Sequence, residues 1–270
     1  MTQRTELRGL RLPGPPSISG ALQTLLAALV VCPEVLVLAP ILVLVASRWP
    51  ALQEAVIRHW TRMVLYMAGV ELKVEGAEKL DPKGRYVFMS NHQSLFDVPC
   101  LVNALANPLR FVAKRSLFKI PVFGAALRAI GTIDIDRGDR ADAIRRLQEA
   151  QQGIARRCCL HFFAEGTRSP DGGLLPFKKG GAVMALSLGV PIIPIAISGT
   201  RKVFPKGGWS LRPGPVLVSI GEPIMPGADS PEERTRLVAQ VRDEVARLLA
   251  ALGEQVDAPG AAGKEVSSGI

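Results

Sequence analysis

Aromatic side chains make up only 5% of the 270-residue sequence. A protein that grips single-stranded nucleic acid by stacking its bases needs more, so that class is disfavoured. Histidine is scarcer still, at positions 59, 92 and 161. The four cysteines, Cys32, Cys100, Cys158 and Cys159, form no C-x-x-C pair. Neither set has zinc-ligand spacing, and no metal site is expected. The cysteine usage fits a reducing compartment without structural disulfides. Acidic residues are also in deficit: 24 Asp and Glu face 33 Lys and Arg, for a formal net charge of +9. The partners this implies are anionic: phospholipid headgroups, phosphorylated small molecules or nucleic acid. No internal repeat is present.

What the chain has in excess is apolar surface, with 48% hydrophobic residues and a mean hydropathy of +0.22. Residues 21–47 carry one charge, Glu34, and two prolines, Pro33 and Pro40. The run is long enough to cross a bilayer. Arg8 and Arg11 precede it and Arg48, Arg58 and Arg62 follow, so charge gives no inside–outside asymmetry. A segment that enters one leaflet and returns would explain this, and a span stays open. A cleaved signal peptide is disfavoured because the run is long and no small-residue cleavage site is obvious. Over 51–69, Leu52, Val56, Trp60, Val64 and Met67 recur at helical steps, with Arg58, His59 and Arg62 off that line. Such a helix suits a membrane interface, and a core helix facing the main domain is the alternative. The expected organisation is a mobile basic arm over 1–19, a membrane-associated helical hairpin over 20–69, an α/β domain over 70–253 and a disordered tail over 254–270.

From residue 71 onward, strand and helix patterns alternate. Strands are expected at 71–75, 85–90, 109–113, 132–136, 158–164, 191–197 and 215–220. Helices are expected at 95–105, 122–129, 139–156, 178–188 and 231–252. This predicts an α/β fold, a largely parallel sheet of about seven strands flanked by helices and preceded by the N-terminal helical pair. Ser230, Pro231 and Glu233 mark the start of the last helix.

Polar groups recur just past the strands. Asn91-His92 and Asp97 follow Tyr86–Ser90, and a His beside an Asp supplies a proton acceptor with a group to orient it. The bland alternative is a helix start capped by Asn91. Lys114 follows 110–113, Arg137 follows 132–136, and Glu165-Gly166-Thr167-Arg168 follows 158–162. In a parallel sheet these ends gather on one side, where open α/β sheets bind ligands. Arg168 and Arg137 offer planar forks for a phosphate, Gly166 permits close backbone approach, and Glu165 can orient Arg168 or accept a ligand hydroxyl. His92 and Asp97 would lie about 140° apart on one continuous helix, so a working pair requires His92 outside it.

Asn91-His92-(four residues)-Asp97, Phe163-Ala164-Glu165-Gly166-Thr167-Arg168-Ser169 and Val190-Pro191-Ile192-Ile193-Pro194 occur in this order. In these motifs, over about residues 70–225, the chain resembles the 1-acylglycerol-3-phosphate acyltransferase family of glycerolipid acyltransferases. The resemblance implies acyl transfer from a coenzyme A or acyl-carrier-protein thioester to a lysophospholipid acceptor, with no other cofactor, at an anionic phospholipid membrane on the cytoplasmic face. It makes His92 and Asp97 the catalytic pair. Glu165, Gly166, Thr167 and Arg168 become the glycerophosphate-binding stretch, with Lys114 and Arg137 as further cations. Ala164 stands where the family usually has proline, which implies altered loop stiffness rather than lost activity.

Other readings remain open here. The acceptor could be another lysophospholipid, a lyso-ornithine lipid or glycerol 3-phosphate. Outside catalysis, the chain could be a membrane lipid-binding protein, though binding alone needs neither His92 nor Asp97. A serine hydrolase would use Ala185-Leu186-Ser187-Leu188-Gly189, but Ser187 falls late in a helix and before a strand, the reverse of a nucleophile elbow. A nucleic-acid partner has only the positive charge in its favour, and none is expected.

Overall fold

The computed structural model describes residues 20–45, 48–136, 138–152 and 158–254. The basic arm expected over 1–19 lies outside them, as does all but the first residue of the tail expected over 254–270. The chain opens with a helical hairpin, α1 (Gly20–Val45) and α2 (Pro50–Met67). Seven strands follow: β1 (Val70–Glu75), β2 (Val87–Ser90), β3 (Leu109–Lys114), β4 (Ile133–Ile135), β5 (Cys159–Phe163), β6 (Ile192–Ser198) and β7 (Gly214–Ile220). The connecting helices are α3 (Asp97–Ala104), α4 (Phe123–Ala129), α5 (Arg140–Gln152), α6 (Gly180–Leu188) and the short α7 (Thr200–Val203), and α8 (Pro231–Ala251) closes the domain.

The sheet order is β1-β7-β6-β2-β5-β3-β4. Strands β2 to β6 run parallel to one another. Strand β7 is antiparallel to β6, and β1 is parallel to β7. The ends of β1 and β7 therefore leave the side on which the others converge. Period-two alternation sets the layers. Phe88, Cys159, Ile193, Ile195 and Ile197 join one core beneath α2 and α3. Val87, Met89, Leu160, Phe162 and Ile192 join another beneath α6 and α8.

Helix α2 is more deeply engaged with the domain than its Trp and Arg content suggests. Arg58 donates to the carbonyls of Val102, Leu105 and Ala106 at 2.7, 2.8 and 2.9 Å. Its fork satisfies the C-terminal carbonyls of α3, which a helix end otherwise leaves bare. Arg62 donates to Asn103 Oδ1, and His59 pairs with Glu34 across the hairpin. Arg110 on β3 meets Gln53 and Glu54 at the start of α2. These basic residues hold α2 to its neighbours, so the core-helix reading is the better one for them.

Helix α1 is tied to the domain near both ends. Thr24 Oγ1 accepts from Leu211 N at 2.8 Å, and Gln23 donates to Met67 O. Toward its other end Ala39 and Leu42 pack on Ala126 of α4. Between these points Leu25, Leu26, Leu29, Leu36 and Val37 stay exposed.

Replacing Arg58 with alanine strips three carbonyls of their donor. The expected loss is about 2 kcal/mol of stability, within the range for charged hydrogen bonds. Denaturation of the detergent-solubilised protein measures it, and an unchanged midpoint would contradict this account of the helix end.

Candidate active site

Strand β2 ends at Ser90 in the middle of the sheet, flanked by β5 and β6. Asn91 does not cap a helix. Its amide donates to Ile197 O at 2.8 Å and its Oδ1 accepts from Ile197 N at 2.9 Å. The side chain thus extends the pairing with β6 while the backbone turns away. That turn carries His92 out of the sheet, and α3 does not start until Asp97.

The turn is organised by Asp97, which is 0% exposed. Its Oδ2 accepts from His92 Nδ1 at 2.6 Å, from Gln93 N at 2.7 Å and from Ser94 N at 2.9 Å. Its Oδ1 accepts from Thr200 Oγ1 at 2.5 Å. An ionised carboxylate has room for these donors, and burial without them would be costly. The requirement that His92 stand outside the helix and face Asp97 is met. With Nδ1 committed as the donor, Nε2 keeps its lone pair, and it has no partner among the described residues.

His92 is 9% exposed, and its ring stacks on Phe163 with centroids 3.7 Å apart. The loop after β5 grips its backbone from both sides. His92 N donates to Glu165 Oε1 at 2.8 Å, and His92 O accepts from Ser169 N at 2.8 Å. The remaining histidines are poor candidates for a base. His59 is paired with Glu34 in the hairpin. His161 is fully buried with no partner for either ring nitrogen among the described residues. Burial, aided by the nearby His92, pushes its pKa down to about 3.

The residues of the Glu-Gly-Thr-Arg stretch divide by role. Glu165 is buried and faces neither Arg168 nor open space. Its second oxygen accepts from Leu175 N at 3.3 Å, so the carboxylate braces two loops. Gly166 sits at φ +70°, a conformation glycine adopts freely, and its N–H donates to Phe163 O at 2.9 Å. That N–H is therefore unavailable to a ligand. Thr167 is exposed and Arg168 half-buried. The Arg168 guanidinium has no partner among the described residues, while its carbonyl accepts from Lys206 Nζ at 3.1 Å. Lys114 ends β3, exposed, two strands from β2. Arg137 lies outside the described residues.

Ala164 has a structural use of its own. Its N–H donates to Ser90 O at 2.9 Å and continues the β5–β2 ladder. Proline has no N–H to make this bond. Thr200 was not singled out in the sequence, nor was Arg201, which reaches Pro170 O at 3.3 Å. A signal was available: β6 lies beside β2 and parallel to it, so residues just past β6 fall next to residues just past β2.

Burial, reinforced by the negative charges of Asp97 and Asp171, pushes the Glu165 carboxyl up to about 7 despite its two backbone hydrogen bonds. Between the ordinary value of 4.5 and about 7, the folded protein keeps a proton that the unfolded chain has released. Stability from this group is thus full below pH 4.5 and is lost as pH rises through about 7. The melting temperature of wild type relative to Glu165→Gln should fall across that window. A constant difference from pH 4 to 8 would contradict the shift.

Comparison with known proteins agrees with this fold. The acyltransferase family profile matches residues 71–198. The 1-acyl-sn-glycerol-3-phosphate acyltransferase of Escherichia coli is 34% identical over 196 residues, covering 72% of this chain and 79% of that protein. The protein of the same name from Pseudomonas aeruginosa is 31% identical over 191 residues, covering 69% and 72%. A chloroplastic relative from Brassica napus is 37% identical over 153 residues, covering 56% of this chain, and the match spans only 44% of its own length. The crystal structure of the 1-acyl-sn-glycerophosphate acyltransferase from Thermotoga maritima superposes with a TM-score of 0.73 at 30% identity, covering 87% of this chain and 96% of that one. With the seven-stranded sheet and the His92–Asp97 pair in place, the chain belongs to the 1-acyl-sn-glycerol-3-phosphate acyltransferase family.

Proposed function

We propose that this protein transfers a fatty acyl group from an acyl thioester to the free hydroxyl of 1-acylglycerol 3-phosphate, making phosphatidic acid. The observation that carries the reading is the 2.6 Å contact of His92 Nδ1 with buried Asp97, which leaves Nε2 without a partner among the described residues. The thioester is already activated, and its thiol leaves readily because its pKa is near ~8.5. The acceptor hydroxyl is the weak partner. His92 Nε2 takes its proton as the oxygen attacks the thioester carbonyl carbon. The carbon–sulfur bond breaks, and the imidazolium returns the proton to the departing thiolate. Asp97 keeps the imidazole in the tautomer that accepts at Nε2 and stabilises the cation that follows. Thr200 holds the other carboxylate oxygen, so it acts as a positioning residue.

Arg168 is the group best suited to the acceptor phosphate. It is half-buried without a protein partner among the described residues, close in sequence to the segment that clamps His92. Lys114 supplies a second cation farther along the sheet edge, and Arg137 is retained as a third from sequence alone. Glu165 and Gly166 contribute by shaping the loop rather than by touching the ligand. The chemistry needs no metal or prosthetic group. The donor is a coenzyme A or acyl-carrier-protein thioester, which places the site at the cytoplasmic face of the membrane. Helix α1, held at both ends by the domain, lies within one leaflet with its leucine-rich side toward lipid. Lysophospholipid then reaches the site without full transfer into water, where each exposed methylene costs about 0.8 kcal/mol.

Purified protein in detergent, offered lysophosphatidate, glycerol 3-phosphate and other lysolipids with both donors, tests the reading by mass spectrometry of the products. Phosphatidic acid from lysophosphatidate is expected, and transfer only to other acceptors would overturn the substrate assignment. His92→Ala should lower kcat by about 10²-fold or more, and near-wild-type turnover would remove His92 from the mechanism. Arg168→Ala should chiefly raise the acceptor KM. Thr200→Val should lower kcat about 10-fold with KM little changed, equivalent to about 1.4 kcal/mol of transition-state stabilisation. Thr200→Ser should recover most of it.

A further inference from the structure

The segment between α7 and β7 is unlike the rest of the surface. From Thr200 to Gly221 the sequence has no acidic residue, and it carries Arg201, Lys202, Lys206 and Arg212. Gly207 and Gly208 lead to Trp209, which is 75% exposed. An indole this open is unusual on a surface that faces only water, because it leaves a large apolar face unburied. The base of the loop is nonetheless well tied. Gly208 N donates to Pro205 O at 3.0 Å and Arg212 N to Val203 O at 2.9 Å. The side chain on the next turn of the loop, Leu211, is buried.

This loop also clamps the start of α1. Leu211 N donates to Thr24 Oγ1 at 2.8 Å. The backbone at Gly20 lies so close that a Cβ there would meet Leu211 O at 2.5 Å and Ser210 Oγ at 2.7 Å. Trp209 immediately precedes the two residues that meet the start of α1, the helix that carries the exposed Leu22, Leu25 and Leu26. At the other end of α1, Trp49 is 55% exposed, beside exposed Arg48. Tryptophan with adjacent Lys and Arg is the composition that settles at headgroup depth, the ring among the upper acyl chains and the cations on lipid phosphates.

We propose that the Trp209 loop is a second membrane anchor, docking on an anionic lipid surface with Trp209 inserted at the interface and Lys202, Lys206 and Arg212 on lipid phosphates. The proposal rests on the reading that α1 lies within one leaflet. Trp209 and Trp49 then hold the two ends of α1, about 39 Å apart along the helix, at one interface. Lys206 also links this anchor to the site, because its Nζ donates to Arg168 O. The loop that reads headgroup charge is thus bonded to the segment whose guanidinium takes the acceptor phosphate. Docking sets Arg168 at the depth where that phosphate lies.

The test uses the full chain carrying Trp49→Phe and Trp60→Phe, so that Trp209 is the sole tryptophan. The protein is bound to phosphatidylglycerol-containing vesicles, and flotation measures attachment. Bromine-labelled lipids and aqueous acrylamide report the depth of Trp209. The expected result is flotation with strong quenching by lipids brominated near the carbonyl region and at least a threefold loss of acrylamide quenching. Lys206→Glu with Arg212→Glu should reverse the protection of Trp209 while the protein still floats. Flotation with Trp209 fully open to acrylamide overturns the second anchor and leaves α1 attachment standing. Protection from acrylamide without quenching by brominated lipid assigns the indole to a protein contact and also overturns it. Failure to float overturns the α1 reading and this proposal together.

Discussion

A single buried carboxylate holds this site together. Asp97 collects the ring of His92, two backbone N–H groups of the intervening turn and the hydroxyl of Thr200. Each donor comes from a segment that must be in place first: the end of β2, the start of α3 and the residue past β6. Losing one would leave the others facing a less well compensated charge in a dry interior, where unsatisfied groups are costly. The same carboxylate fixes the conformation of the turn and the tautomer of the imidazole. Structure and chemistry therefore share one set of hydrogen bonds.

The sheet supplies what Asp97 organises. Strands β5, β2 and β6 are adjacent and parallel, so their ends open at one edge. The loop after β5 returns two hydrogen bonds to the His92 backbone, the ladder gains one more at Ala164, and the segment after β6 contributes Thr200. Phe163, the last residue of β5, becomes the platform for the imidazole. The apolar side of the molecule follows the same plan. Arg58, a basic residue that a membrane reading would send to lipid, is consumed in fixing α2 to α3, and Arg110 ties α2 to β3. The exposed leucines lie on α1 instead.

Much of this was legible in the sequence because its periodicities are clean. The alternating apolar runs place every strand within a few residues of its observed span, and the polar steps after β2 and β5 meet at one edge of the sheet. The His92–Asp97 requirement followed from helix geometry alone. Two things were harder to read. The direction of β7 depends on the link after β6, whose only helix is the four-residue α7, too little for the usual parallel crossover. The uses of Glu165 and Asn91 depend on neighbours distant in sequence, Leu175 and Ile197 among them. A carboxylate in a motif looks the same whether it meets a ligand or a backbone N–H.

The role of His92 as a base turns on which of its ring nitrogens carries the proton. Nitrogen NMR of histidine-labelled protein in micelles, with His92 assigned by its absence in His92→Ala, reads this at neutral pH. The predicted result is a protonated Nδ1 and a bare Nε2, with that preference lost in Asp97→Asn. A wild-type His92 protonated at Nε2 and bare at Nδ1 would contradict the assignment of His92 as the base.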